Sequence, residues 1–247
     1  MESFLTDLIK SSHEELMTTD PDDLFSGYAY LRGRGVTEEQ MRLFQIGVGP
    51  SEAWAPHKLR KTPDGKMFNR QFRGTMEGQI TFPVWNSSGV LRGVETRLWE
   101  ETQFRKYTQY WLESWQEDST FLGCPAALES IWETGVVYLV EGMFDFFPVQ
   151  RVFPNTLCTL TAKVTEAQQR FLKRYCKHVV FMFDMDQKGK EISGKSLDKY
   201  NVSNNRGFSA HQLIYPAKDP GELYEKWGIV RFDKYLKRKA DSFNLYL

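Results

Sequence analysis

Cysteine is scarce in this chain of 247 residues: Cys124, Cys158 and Cys176 are the only three, they are far apart, and no C-x-x-C pair forms. A disulfide framework and a structural zinc ribbon are therefore not expected. Histidine is equally sparse. His13, His57, His178 and His211 are scattered with nothing at metal-ligand spacing beside them, so each reads as an ordinary surface or core residue. No apolar run approaches the roughly 18 residues that a membrane span needs. The opening stretch MESFLTDLIKSSHEELMTTDPDD has no basic region followed by an apolar one, so no secretory signal is expected and a cytoplasmic location is. Net charge is absent too, with 32 basic and 32 acidic residues. Taken alone, that speaks against a nucleic-acid partner, because such proteins are often basic.

Any metal chemistry must accordingly rest on carboxylates. With 41% hydrophobic and 26% charged residues, the composition is that of an ordinary globular chain, long enough for one large domain or two modest ones. The neutral sum conceals blocks. Residues 1–25 carry seven acids against Lys10, whereas residues 58–73 hold Lys58, Arg60, Lys61, Lys66, Arg70 and Arg73 against Asp64. Residues 151–177 and 231–239 are also basic, and blocks of this kind can build a one-sided field.

The pattern predicts helices over 3–17, 22–33 and 37–44, the last capped by Thr37. QITFPVWNSSGVLRGVETRLW reads as a hairpin around Asn-Ser-Ser-Gly. Strand-like VVYLVE is followed by a helical FDFFPVQRVF, a short strand TLCTLT, and a helix TEAQQRFLKRYCK opened by Thr165. HVVFMFDMD then reads as a strand, GKEISGKSLDKYN as a helix, SAHQLIYP as a strand, and residues 219–239 as helices. Strands alternating with helices from 136 to 216 imply a parallel sheet with crossover helices. A domain boundary is expected near 125–135.

Two strands end in acids. Glu141 closes VVYLVE, Gly142 turns the chain, and Asp145 falls in the next helical turn; Asp184 and Asp186 close VVFMFDMD. Ligands of open parallel sheets bind beyond the carboxyl ends of the strands. Residues i and i+2 of an extended D-x-D point the same way. Asp219 before Pro220, just past the last strand, is a further candidate. One acid after a strand is ordinarily a turn former or a helix cap, and Asp145 fits that role as well. Several in this order suit Mg²⁺, which takes hard oxygen ligands and bridges to phosphate.

E-G-x-x-D (Glu141, Gly142, Asp145) followed by D-x-D-x-x-G (Asp184, Asp186, Gly189) resembles the TOPRIM domain shared by DnaG-type primases, topoisomerases and OLD-family nucleases. YLRGRGVTEEQMRLFQIGVGP is similar to the opening of the DnaG-type catalytic core, and FNRQFRGTMEGQITFPVWNSSGVLRGVETRLWE to its hairpin. Lys106-Tyr107 and KDPGEL match further segments of that family in order. The resemblance implies an α/β fold: an α+β N-terminal subdomain (1–130, helices, hairpin and basic groove), a TOPRIM parallel-sheet domain (131–230), and a basic helical tail (231–247).

It also implies a primase core that makes short RNA on single-stranded DNA from nucleoside triphosphates, with Mg²⁺ or Mn²⁺ and no zinc. Glu141, Asp184 and Asp186 would be catalytic, and with Asp219 would hold metal. Arg70, Arg73, Arg97, Lys106, Asp145 and Lys163 would contact nucleotide or DNA. Phe72, Tyr107, Tyr110 and Trp111 interleave the basic stretch and suit base stacking or core packing. A replicative helicase and a separate template-recognition module would be partners, in a bacterial cell or a phage-infected host. The chain departs from the family pattern at 161–165, where T-A-K-V-T stands for G-T-A-L-T, and at Gly221, which replaces the second acid of K-D-P-D-E.

Three other readings share parts of this pattern. A TOPRIM nuclease or topoisomerase-like protein uses the same Glu and D-x-D, and an inactive module would bind single-stranded DNA or a replication partner. GKEISGKS (189–196) matches the phosphate-loop pattern of NTPases, but the turn such a loop needs is already filled by the D-x-D segment.

Overall fold

A computed structural model describes residues 2–49, 79–99, 107–111, 120–161, 164–185 and 208–243. The chain divides into two units, residues 1–84 with 91–115, and residues 85–90 with 116–247.

The first unit begins with α1 (Glu2–Thr18), α2 (Gly27–Gly33) and α3 (Glu38–Leu43). The second helix starts five residues later than its sequence suggests. Asp20 and Asp23 turn their carboxylates onto the N–H groups of Asp22 and Phe25, both at 3.0 Å, and this local bonding competes with helix. Ser26 then caps α2. Thr37 caps α3 in a full capping box, its hydroxyl accepting from Gln40 N–H while the Gln40 amide oxygen accepts from Thr37 N–H.

An antiparallel sheet follows, formed by β1 (Gly47–Val48), β2 (Gln79–Asn86), β3 (Leu91–Leu98) and β4 (Tyr107–Trp111) in that spatial order. At the hairpin tip the Asn86 carboxamide oxygen accepts from Ser88 and Val90 N–H, and Gly89 takes the positive φ of 74° that a side chain would resist. Gly47 lets β1 meet α1, since a Cβ there would fall 2.4 Å from the Ser12 backbone. Leu16, Leu31, Met41, Ile46, Ile80, Phe82 and Val94 form the buried interior.

The second unit is built on a four-stranded sheet of β6 (Val136–Val140), β7 (Thr156–Cys158), β8 (His178–Met182) and β9 (Ser209–Gln212). Its order is β7-β6-β8-β9 and every pairing is parallel, the arrangement implied by the alternating pattern. The strands are shorter than the apolar runs that encode them. After β7, for example, Leu160 turns the chain with a φ of 61°. α4 (Leu128–Thr134) leads into β6 through Gly135, α5 (Met143–Gln150) joins β6 to β7, and α6 (Glu166–Tyr175) joins β7 to β8. Thr165 opens α6 with a second capping box.

Short β5 (Thr120–Phe121) pairs with Trp85 and Asn86, so the hairpin tip folds with this unit. One sheet face packs Val137, Leu139, Leu157, Val179 and Phe181 against Phe121, Ile131, Phe171 and Leu172. Alternation puts Tyr138 on the other face, where its ring stacks on Phe153 at 3.8 Å. The last helix, α7 (Pro220–Asp241), packs on α5 and is interrupted at Gly228, whose φ of 67° and ψ of 168° are non-helical. No helix among the described residues is long and apolar enough to cross a membrane.

Candidate active site

The carboxyl ends of β6 and β8 and the start of α7 assemble the acidic cluster. Glu141 follows β6 directly, Asp184 lies two residues past β8, Asp145 sits in the first turn of α5, and Asp219 is the N-cap of α7. Gly142 matters for shape: a Cβ there would lie 2.6 Å from Asp145 Oδ2, so the bare backbone lets that carboxyl fold back over the helix start. Asp145 Oδ1 accepts the N–H of Gly221 at 2.9 Å, which ties α5 to α7. A Cβ on Gly221 would stand 3.1 Å from the same oxygen and 3.4 Å from Asp219 Oδ1. The position at which the chain departs from the family pattern is thus a cramped contact between two carboxylates.

Asp219 divides its oxygens. Oδ1 caps α7 by accepting from Glu222 N–H at 2.7 Å, and Oδ2 faces the Lys218 ammonium at 3.8 Å. Asp184 Oδ2 approaches the same ammonium at 3.7 Å. Tyr215 lies beneath, buried, donating its hydroxyl to the Phe183 carbonyl at 2.6 Å and fixing the end of β8. Met185 N–H donates to the Lys218 carbonyl at 2.6 Å, a second clasp between the two segments. Behind Glu141, the Cys158 thiol donates to its backbone carbonyl at 3.2 Å.

The electrostatics follow from enclosure and like charge. Burial holds the Asp145 carboxyl well above the usual carboxylate range, the charge of Asp219 adds to this, Gly221 N–H opposes it, and Asp184 contributes further. Burial also pushes the Tyr215 phenol up, helped by Asp145, Asp184, Asp219 and Glu141. The same four carboxylates thus all disfavour ionisation of this one phenol. Among the described residues no group of three or more Asp, Glu, His or Cys side chains is drawn together tightly enough to hold a metal ion. The donor chemistry nonetheless suits a hard divalent cation: the donors are carboxylate oxygens, they repel one another, and a lysine ammonium stands between two of them as a stand-in cation.

Of the residues singled out from the sequence, Asp145, Asp184 and Asp219 are linked here through Gly221 and Lys218, and Glu141 ends the strand beside β8. Arg97 lies on β3 in the first unit, half-buried, with its guanidinium 5.8 Å from the Tyr30 ring centre; burial lowers its pKa, Tyr30 opposes this, and Arg34 adds to it. Asp186, Arg70, Arg73, Lys106 and Lys163 lie outside the described residues, as do Phe72 and the stretch 189–196. Two participants were not anticipated. Lys218 adjoins Asp219 in sequence, but nothing local signals its approach to Asp184. Tyr215 reads only as one more apolar residue of a strand.

Residues 138–224 match the Toprim-like family. That match falls within the second unit and takes in Glu141, Asp145, Asp184 and Asp219. Across nearly the whole chain the fold is that of the DnaG-type primase catalytic core. The Aquifex aeolicus primase, comprising zinc-binding and RNA polymerase domains, superposes with a TM-score of 0.75 at 20% identity, covering 96% of this chain and 59% of that one. A DnaG catalytic core superposes equally well, at 19% identity over 96% of this chain and 79% of that one. A DnaG catalytic domain bound to single-stranded DNA gives a TM-score of 0.73 at 18% identity, over 96% and 80% of the two chains.

In sequence, the DNA primase of Legionella pneumophila is 25% identical over 85% of this chain and 38% of its own length. That of Halalkalibacterium halodurans is 26% identical over 91% and 39%. The chain thus spans about two fifths of the length of these relatives.

Proposed function

We propose that this chain is the RNA-polymerising core of a DNA primase, joining nucleoside triphosphates into short RNA on single-stranded DNA. The observation that carries the reading is the placement of Glu141 and Asp184 past neighbouring parallel strands, with Asp219 joined to Asp184 through Lys218 and to Asp145 through Gly221, in a segment matched by the Toprim-like family and within a primase-core fold. In this reading Glu141, Asp184, Asp186 and Asp219 hold Mg²⁺ or Mn²⁺, with no zinc involved. The bound metal supplies charge that activates the attacking 3′-oxygen and steadies the leaving pyrophosphate. Asp145 shapes the nucleotide site from behind. Arg70, Arg73, Arg97, Lys106 and Lys163 give fixed positive charge for phosphates, for which the guanidinium fork is well suited. Binding to single-stranded DNA is supported by the related catalytic domain solved with it. A helicase and a template-recognition module, on this chain or others, complete the proposed partners.

Primer-independent incorporation of labelled nucleotide on single-stranded DNA tests this, comparing the wild type with Asp184→Asn. Short RNA products with the wild type, lost in the variant and in chelator, are expected. Metal-dependent degradation of the template without new oligomers would overturn the polymerase reading in favour of a nuclease.

A further inference from the structure

Lys218 Nζ lies between carboxylates from two separate elements, 3.7 Å from Asp184 Oδ2 after β8 and 3.8 Å from Asp219 Oδ2 at the head of α7. Its main chain is held on both sides: its N–H donates to Glu222 Oε2 at 2.6 Å, and its carbonyl accepts from Met185 N–H at 2.6 Å. The side chain is 58% exposed. A fixed backbone and a flexible four-carbon stem allow the ammonium alone to move. Both of these ion pairs are long. On α7 the Lys226–Glu222 and Lys237–Asp233 pairs close to 2.8 Å, a full angstrom shorter or nearly so. Ion pairs this long, with the lysine side chain largely in solvent, contribute little stability and are readily replaced.

We propose that Lys218 is an exchangeable counter-cation of the acidic cluster. It neutralises Asp184 and Asp219 when no divalent cation is bound, gives way when one enters, and then faces the triphosphate of the incoming nucleotide. The proposal rests on the polymerase reading above for the identity of the substrate. The physical case for exchange is independent of it. Magnesium binds carboxylate oxygen at about 2.1 Å, leaving no room for an ammonium shared between the same two oxygens. Two like-charged ions a few angstroms apart repel, so entry of the metal drives the lysine outward. Its stem keeps the ammonium near the cluster, where it would face the phosphate oxygens of a nucleotide held there through the metal. Lysine suits that task as a mobile point charge.

The test measures Mn²⁺ binding to the full chain without nucleotide, from the electron paramagnetic resonance signal of free Mn²⁺. Lys218→Met is expected to bind Mn²⁺ about three- to ten-fold more tightly than the wild type, the range set by removing these two long ion pairs from the carboxylates. Lys218→Arg keeps the cation and is expected to stay within about two-fold of the wild type. In nucleotide incorporation, Lys218→Met is expected to raise KM for the triphosphate roughly ten-fold with a smaller change in kcat, the mark of a lost binding contact. Unchanged or weaker Mn²⁺ binding by Lys218→Met, with normal binding by the wild type, overturns the exchange and leaves the polymerase reading intact. Absence of Mn²⁺ binding by the wild type overturns both.

Discussion

Replacing Asp145 with asparagine removes a charge that the folded protein encloses while keeping the oxygen that accepts Gly221 N–H at 2.9 Å. Burial and the neighbouring Asp219 both disfavour the ionised form of Asp145, and one backbone donor opposes them. A carboxyl whose pKa is raised by folding contributes stability that is fully present below its ordinary range and is lost as pH rises through the raised value. At about pH 8 with chelator, the variant is therefore expected to be more stable by about 1–2 kcal/mol, the size of a partly met desolvation cost. For a chain of this length that is a melting temperature higher by roughly 2–8 °C. The gap is expected to shrink as pH falls toward 4, where both side chains are neutral, and to narrow when MgCl₂ supplies opposite charge to the cluster. Calorimetry across pH, with EDTA and with Mg²⁺, reads all three trends. An asparagine variant that melts below the wild type at about pH 8 in EDTA, or a gap that widens toward low pH, refutes the electrostatic account.

Tyr215→Phe deletes the 2.6 Å bond to the Phe183 carbonyl and is expected to cost about 1–1.5 kcal/mol in urea titration; an unchanged midpoint would show that the phenol does not hold β8. Gly123→Ala puts a Cβ 2.7 Å from the Phe146 ring and 2.9 Å from the Thr156 carbonyl at a φ of 105°, and is expected to cost about 2 kcal/mol or more. A variant as stable as the wild type would disprove that close approach. The Cys124 thiol is pushed up to about 12 by burial and by Cys176, and Cys176 to about 12 by burial. All three thiols are buried, so iodoacetamide is expected to modify none in the native protein at about pH 8 and all three in denaturant.

Short-range chemistry is the most legible part of the amino-acid sequence. Thr37 with Gln40 and Thr165 with Gln168 announce their helices because every partner of a capping box lies within one turn. Apolar runs ending in Glu141 and Asp184 reveal both the parallel sheet and the edge at which acids collect, since the sheet architecture fixes which ends face a ligand. Local competition is harder to see. The acids and proline of segment 20–25 suit the first turn of a helix, yet Asp20 and Asp23 bond to nearby backbone and delay α2. Least legible is the meeting of Lys218 with Asp184, which depends on β8 and β9 lying side by side in parallel rather than on any local pattern. Zero net charge proves uninformative for a similar reason: a sum over the chain carries no record of which charges share a surface.

The two oxygens of Asp219 have a practical consequence for mutagenesis. Because Oδ1 closes the first turn of α7 while Oδ2 faces the cluster, an alanine at this position deletes two functions at once. Loss of a helix cap costs about 1 kcal/mol, so some of any lost activity would report a frayed α7 rather than a missing ligand. Asparagine retains the capping acceptor and removes only the charge, which makes it the informative substitution. A serine, which caps from a shorter side chain, separates the two further: helix intact, reach toward the cluster gone.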